Sequence, residues 1–233
     1  MKLSNNTLKV LKNLATLNPA IVLDKSKEGK TTIKSTNTNK AVIVYAEIVE
    51  KLEKDVAIFD LNQFLNIFSS FKEPELTFED SFLYIKEGNS KVKYLYGNKE
   101  SVLSPPDFSV ICQKLFNADD IPEDKVIVKF SLLEDDFNKV LKTADIMGLE
   151  HIKIVTENGK IIMKVLNIDN PSSNTFDVVV GEDSTNENRE FTFARSNFKM
   201  LSGDYEVFLT DSPLSKFYNK ANNYTTLIRQ QES

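Results

Sequence analysis

The chain has 233 residues, of which 41% are hydrophobic and 27% charged, so it can bury one large core or two ordinary ones. One cysteine, Cys112, and one histidine, His151, exclude an intrachain disulfide, a zinc cluster and most nucleophilic or redox catalysis. The formal net charge is −5, which argues against a uniformly basic nucleic-acid binder, and no apolar run approaches the roughly 18 residues needed to span a bilayer. The N-terminus turns polar too early for a secretory leader, and no cofactor or metal is expected.

Residues 4–17 form an amphipathic pattern, with Thr7, Val10, Leu11, Leu14 and Leu17 on one face, Ser4 as N-cap and Asn18-Pro19 as terminator. Strands are expected at 20–23, 31–35, 41–45 and 55–59. Gly29-Lys30-Thr31 imitates the end of a phosphate-binding loop, but Asp24 stands where the first glycine belongs, so it reads as a hairpin turn. Asp60 caps a second helix with Leu61, Phe64, Leu65 and Phe68 on one face, and strands follow at 75–78, 82–86 and 91–96.

Residues 97–124 carry Pro105-Pro106 and Pro122 and show no sustained period, which reads as an interdomain connector. Its apolar side chains, Phe108, Val110, Ile111, Leu115 and Phe116, imply that it lies against a domain. A strand at 126–130 and a helix at 132–147 open the second half. Strands at 151–156 and 160–167 are joined by Glu157-Asn158-Gly159, a hairpin signal. Further strands are expected at 176–181 and 190–194, a short helix at 195–201, and strands at 204–210, 215–218 and 224–228. His151 reads as a partly exposed turn residue rather than a catalytic base. The halves repeat one order of elements, so two similar α+β domains are expected, 1–110 and 125–233, with 111–124 ending the connector.

The charge is unevenly placed. Asn5, Lys9, Lys12 and Thr16, spaced 4, 3 and 4, form one stripe opposite the first helix's apolar face. Lys139 and Lys142 share the polar face of the third helix, and Arg195 and Lys199 that of the fourth. Residues 1–17 and 194–203 together carry +5, leaving −10 for the remainder. Such helix faces contact phosphates without reading bases.

Met1-Lys2-Leu3-Ser4 with Leu11-Lys12-Asn13 and Ala15-Thr16, and Asp55-Val56-Ala57-Ile58 with Asp60-Leu61-Asn62 and Phe64-Leu65, resemble the sliding clamps of T-even-type tailed bacteriophages, the DNA polymerase processivity factors. The resemblance implies a DNA-clamp fold in which each of two domains has two inner helices and outer antiparallel sheets. It implies a homotrimeric ring around double-stranded DNA, opened by an ATP-driven clamp loader, with the polymerase docked by a C-terminal peptide. A part in late transcription, with its transcription factors as partners, and a place in the cytoplasm of the infected bacterial host follow from it too. On this mapping Lys9, Lys12, Lys139, Lys142, Arg195, Lys199 and Lys2 line the bore, with Asp145 a departure from it. Leu103, Phe108, Val110 and Ile111 are candidates for the partner-peptide pocket. A non-catalytic phage structural or scaffolding protein is the alternative. A single-stranded-DNA module is a further rival, disfavoured because there is no Trp and the Phe residues are patterned as core.

Overall fold

The computed structural model describes residues 1–170, 172–185 and 187–231. The chain divides into two compact units at Pro106/Asp107, so residues 107–124 belong to the second unit.

In the first unit α1 (Asn5–Leu14) precedes strands β1 (Ile21–Leu23), β2 (Thr31–Thr36), β3 (Val42–Ile48) and β4 (Val56–Ile58). These strands form an antiparallel array in the order β4-β1-β2-β3. Next come α2 (Leu61–Ser69) and strands β5 (Glu75–Phe78), β6 (Phe82–Glu87) and β7 (Ser90–Leu95), which pair β5-β6-β7. Met1 exchanges backbone hydrogen bonds with Leu76 of β5 at 2.7 Å, which closes that edge and leaves β7 at the other.

Helix α1 forms because its apolar residues return every three or four positions and its start is capped. Ser4 Oγ accepts from Thr7 N–H at 3.1 Å, and Val10, Leu11 and Leu14 are buried. Glu50 completes the cap from 46 residues away: its two carboxylate oxygens accept from Ser4 N–H and from the Thr7 hydroxyl, each at 2.5 Å. The Thr31 hydroxyl donates to Glu50 O at 2.5 Å and ties the same residue to β2. Helix α2 is capped by Asp60, which accepts from Gln63 N–H, and buries Leu61, Phe64, Leu65 and Phe68.

The second unit begins with α3 (Phe108–Phe116), where the sequence reading expects only a connector without periodicity. The spacing of Phe108, Ile111, Cys112 and Leu115 is helical, but the exposed apolar Val110 among them blurs the period and the double proline just ahead reads as a loop. Asn117, left-handed at φ 55°, stops the helix. Then follow β8 (Val126–Leu132), α4 (Glu134–Met147), β9 (His151–Glu157), β10 (Lys160–Leu166), β11 (Phe176–Glu182) and β12 (Arg189–Ala194). The chain ends with β13 (Tyr205–Thr210), β14 (Leu214–Asn219) and β15 (Tyr224–Arg229). The strands make two antiparallel arrays, β8-β13-β14-β15 and β11-β10-β9-β12. Asn158 and Gly159, both at positive φ (51° and 73°), give the β9–β10 hairpin the tight turn that its sequence announces. The turn ahead of β2 uses Glu28 and Gly29 in the same way, with no phosphate-loop geometry.

Two expectations change here. The helix expected over 195–201 is a single 3-10 turn, Arg195–Asn197. Its apolar residues, Phe198 and Leu201, lie three apart and turn inward, and a run this short cannot nucleate an α-helix. Phe198 is packed among Phe137, Phe193 and Phe217, with ring centroids 5.6–5.9 Å away. His151 is buried at the start of β9 rather than partly exposed, flanked in register by Leu166 of β10 and Ala194 of β12.

Because Glu50 satisfies two donors at the start of α1 and is itself buried, Glu50→Ala should lower stability by about 2 kcal/mol. Urea unfolding followed by far-ultraviolet circular dichroism checks this, and an unchanged midpoint refutes it.

Candidate nucleic-acid interface

The polar face of α1 is the simplest part of the candidate interface. Asn5, Lys9, Lys12 and Thr16 are all exposed, opposite buried Val10, Leu11 and Leu14. The helix and its approach contain no acid, and neither lysine makes an ion pair among the described residues. Beside them α2 exposes the neutral residues Asn62, Gln63 and Asn66. Lys2 is differently placed: it bonds Glu73 at 2.9 Å, and that hydrogen bond raises the lysine and lowers the carboxyl from their ordinary values.

The second unit offers less free charge. Lys139 and Lys142 are exposed on α4, but Lys139 lies 5.9 Å over the Phe176 ring, whereas Lys142 has no ion pair among the described residues. The first turn of α4 holds Glu134, Asp135 and Asp136, which suit the positive end of the helix dipole. Leu133 cannot cap that end with its side chain, and Asp204 accepts from Glu134 N–H at 2.8 Å in its place. Asp145 pairs with Arg195, so the acid that departs from a basic surface binds one of the cations expected there. Arg195 and Lys199 do not share a helix face, because the 3-10 turn ends at Asn197. Lys199 is exposed.

The four pocket candidates are divided between the two units. Leu103 is in the first unit, its carbonyl accepting from Asn18, while Phe108, Val110 and Ile111 are on α3 in the second. Val110 is 55% exposed. Phe108 is held under Lys216, whose ammonium lies 5.0 Å from its ring, 5.4 Å from that of Phe208 and 6.0 Å from that of Tyr218. The same ammonium bonds Asp120 at 2.9 Å, so one side chain fastens both ends of the α3 segment. Cys112 faces inward from α3, and burial pushes its thiol up to about 11, with Asp120 adding to the rise and Lys216 opposing it.

Two open strand edges went unnoticed in the sequence. On the outer face of β6 and β7, Lys93 lies 4.1 Å from the Phe82 ring, and Lys86 and Lys91 lie 4.9 and 5.2 Å from that of Tyr84. β7 therefore presents Lys91, Lys93 and Leu95, the last 65% exposed. β11 stands at the edge of its own array and presents Asp177, Val179 and Glu182, with Val179 52% exposed. Lys91 and Lys93 alternate along β7, but the two acids of β11 do not, and only the pairing order reveals which edges are open.

Two family models match the chain: "DNA polymerase processivity factor" over residues 2–103 and "gp45 sliding clamp, C terminal" over residues 129–229. The chain belongs to the phage sliding-clamp family. Curated sliding clamps similar to it include that of Vibrio phage KVP40, 27% identical over 96% of this chain and 97% of the relative, and that of Enterobacteria phage T4, 26% identical over 98% and 96%. The clamp fold is shared with A. fulgidus PCNA, solved with the C-terminal region of FEN-1 bound (TM-score 0.70, 14% identity, 99% of this chain and 97% of that one). It is shared too with the DNA polymerase III subunit beta of Borrelia burgdorferi (TM-score 0.70, 13% identity), where this clamp chain covers 64% of the longer protein. Its architecture is thus the two-domain α+β clamp fold, and its function is that of a sliding clamp and processivity factor in phage DNA replication. No helix among the described residues is long and apolar enough to cross a membrane.

Cys112 reports on whether α3 is seated. Its labelling by a thiol reagent at pH 8 should be slow in the folded clamp, and Lys216→Ala, which releases Phe108 and Asp120, should speed it about tenfold. Equal rates in both proteins would mean that Lys216 does not hold the helix.

Proposed function

We propose that three copies of the chain close head to tail into a ring that encircles duplex DNA and tethers the replicative polymerase, without catalysis of its own. The observation that carries this reading is α1: an exposed Lys9/Lys12 stripe with no opposing acid, in a chain of net charge −5 whose curated relatives of nearly equal length are sliding clamps. In the proposed ring α1 and α4 face the bore, and Lys9, Lys12, Lys139, Lys142, Lys199 and Lys2 are its cations, while Arg195 is turned to Asp145. Charge on helix faces attracts phosphate without fixing register, so the ring is held by topology and moves along the duplex.

Head-to-tail closure needs two different, complementary surfaces. The β7 and β11 edges meet that need: Lys91 and Lys93 on one oppose Asp177 and Glu182 on the other, and exposed Leu95 and Val179 supply apolar contact. Antiparallel pairing of the two would satisfy the open ladders and leave neither edge bare.

The connector region supplies the partner site in this reading. Phe108, Val110 and Ile111 of α3 would take the polymerase's C-terminal peptide. The bound partner region in the A. fulgidus relative supports docking of this kind. An ATP-driven loader opens the ring, and late-transcription factors use the same platform in the cytoplasm of the infected host. The proposed domains, 1–110 and 125–233, differ from the two compact units in the connector, which from Asp107 onward goes with the second unit.

Light scattering after size exclusion should give three times 26.5 kDa, and Lys91→Glu with Lys93→Glu should shift the population to smaller species at equal concentration. A monomer at every concentration refutes the ring, and an unchanged trimer in the variant refutes the β7 edge. Phe108→Ala should weaken polymerase-peptide binding about tenfold by isothermal calorimetry, and an unchanged dissociation constant would remove α3 from the partner site.

A further inference from the structure

We infer that Asp145 is a positioning residue that withholds Arg195 from DNA, so that the clamp's grip on the duplex comes from the α1 helices and is kept low in the second unit. The inference rests on the reading that α1 and α4 face duplex DNA.

The two units treat their cations in opposite ways. In α1, Lys9 and Lys12 are exposed, have no ion pair among the described residues and have no acid on the helix. In α4, Glu134, Asp135, Asp136 and Asp145 outnumber Lys139 and Lys142, and the helix has a net charge of −2. Lys139 is drawn over Phe176, and Ile146, 75% exposed, takes up part of the same outward surface.

Arg195 is the strongest phosphate ligand available there, because its planar guanidinium can bond two oxygens at once. It is not presented. Its backbone N–H bonds Glu150 O at 2.8 Å, which pins the turn beside the end of α4. Its Nη1 is paired with Asp145, its Nε is buried without a partner among the described residues, and its side chain is only 33% exposed. The negative end of the α4 dipole lies at the same place and favours a cation held there. Asp145 is itself 64% exposed, so it cancels a positive charge and adds its own repulsion toward phosphate. Burial does not require Asp145, because Asn at this position would fill the same space. What the acid contributes is the charge that keeps the guanidinium down.

A ring that must slide benefits from this. Each additional phosphate interaction deepens the well from which the clamp has to escape at every step. With Arg195 held back, the strong interactions repeat three times around the proposed ring instead of six.

The test is equilibrium binding of a duplex of roughly 30 base pairs, read by fluorescence anisotropy from low to moderate salt. Asp145→Asn should tighten binding several-fold at low salt and steepen the salt dependence, by about 0.9 in slope for each further phosphate neutralised. Arg195→Gln alone should leave binding at the parental level, and the double variant Asp145→Asn/Arg195→Gln should return to it. Lys9→Gln with Lys12→Gln should weaken binding and flatten the slope. Unchanged binding by Asp145→Asn overturns the inference, as does weakened binding by Arg195→Gln alone, since Arg195 would then already be engaged. A merely structural role for the pair would alter stability without this dependence on Arg195 and salt. The same duplex with both ends blocked by streptavidin tests the underlying reading separately. Loss of binding on blocking supports threading, whereas equal binding to open and blocked duplex overturns the ring and makes any Asp145 effect that of a lateral contact.

Discussion

Every helix in this clamp must bury one face against its own unit, and that constraint governs what the opposite face can do. In α1 the buried row is Thr7, Val10, Leu11 and Leu14, and removing side chains of this size from water is worth about 1.5–3 kcal/mol for each leucine. Once that row is seated, Asn5, Lys9, Lys12 and Thr16 have no freedom of direction: 3.6 residues per turn place them outward together. The cap built from Ser4, Thr7 and Glu50 holds the first turn in place, so the position of the lysines depends on a carboxylate contributed from beyond β3.

The same packing rule yields a different surface in the second unit. There α4 seats Phe137, Val140 and Ala144, and its outward row carries both signs, Asp135, Lys139, Lys142 and Asp145. Cations near acids or aromatic rings settle on them, as Lys139 does on Phe176 and Arg195 on Asp145. A basic residue therefore contributes to an electrostatic surface according to its neighbours, and a formal count over a segment overstates what it presents. Lys216 shows the point in another role. With its side chain 14% exposed among three rings and bonded to Asp120, it acts as a fastening for α3 rather than as surface charge.

Much of the architecture was legible in the chain. The expected strands overlap the observed ones throughout, because alternating apolar residues bounded by Gly, Pro and Asn leave little choice of period. Ser4 and Asp60 were recognisable as caps because a capping side chain acts within three residues of its own position. Two short elements escaped. α3 follows two prolines and carries the exposed apolar Val110, which blurs its period, and the turn at Arg195–Asn197, three residues long, shares its apolar spacing with the beginning of a true helix. Below about two turns, local pattern is too weak to choose between α, 3-10 and coil.

What the sequence by itself determined was the set of elements, their buried faces and the stripe on α1, since all of these follow from the periodicity of neighbouring residues. Only the tertiary structure decided which charges are spent internally and which edges remain open. Glu50 reaches α1 across 43–46 residues, Arg195 reaches Asp145 across 50, Asp204 reaches α4 across 70 and Lys216 reaches Asp120 across 96. Such pairings depend on how strands are ordered and how helices are seated, and a one-dimensional pattern carries no term for either. The candidate interface was therefore visible as a stripe of lysines, while its strength depends on partners that only folding brings into reach.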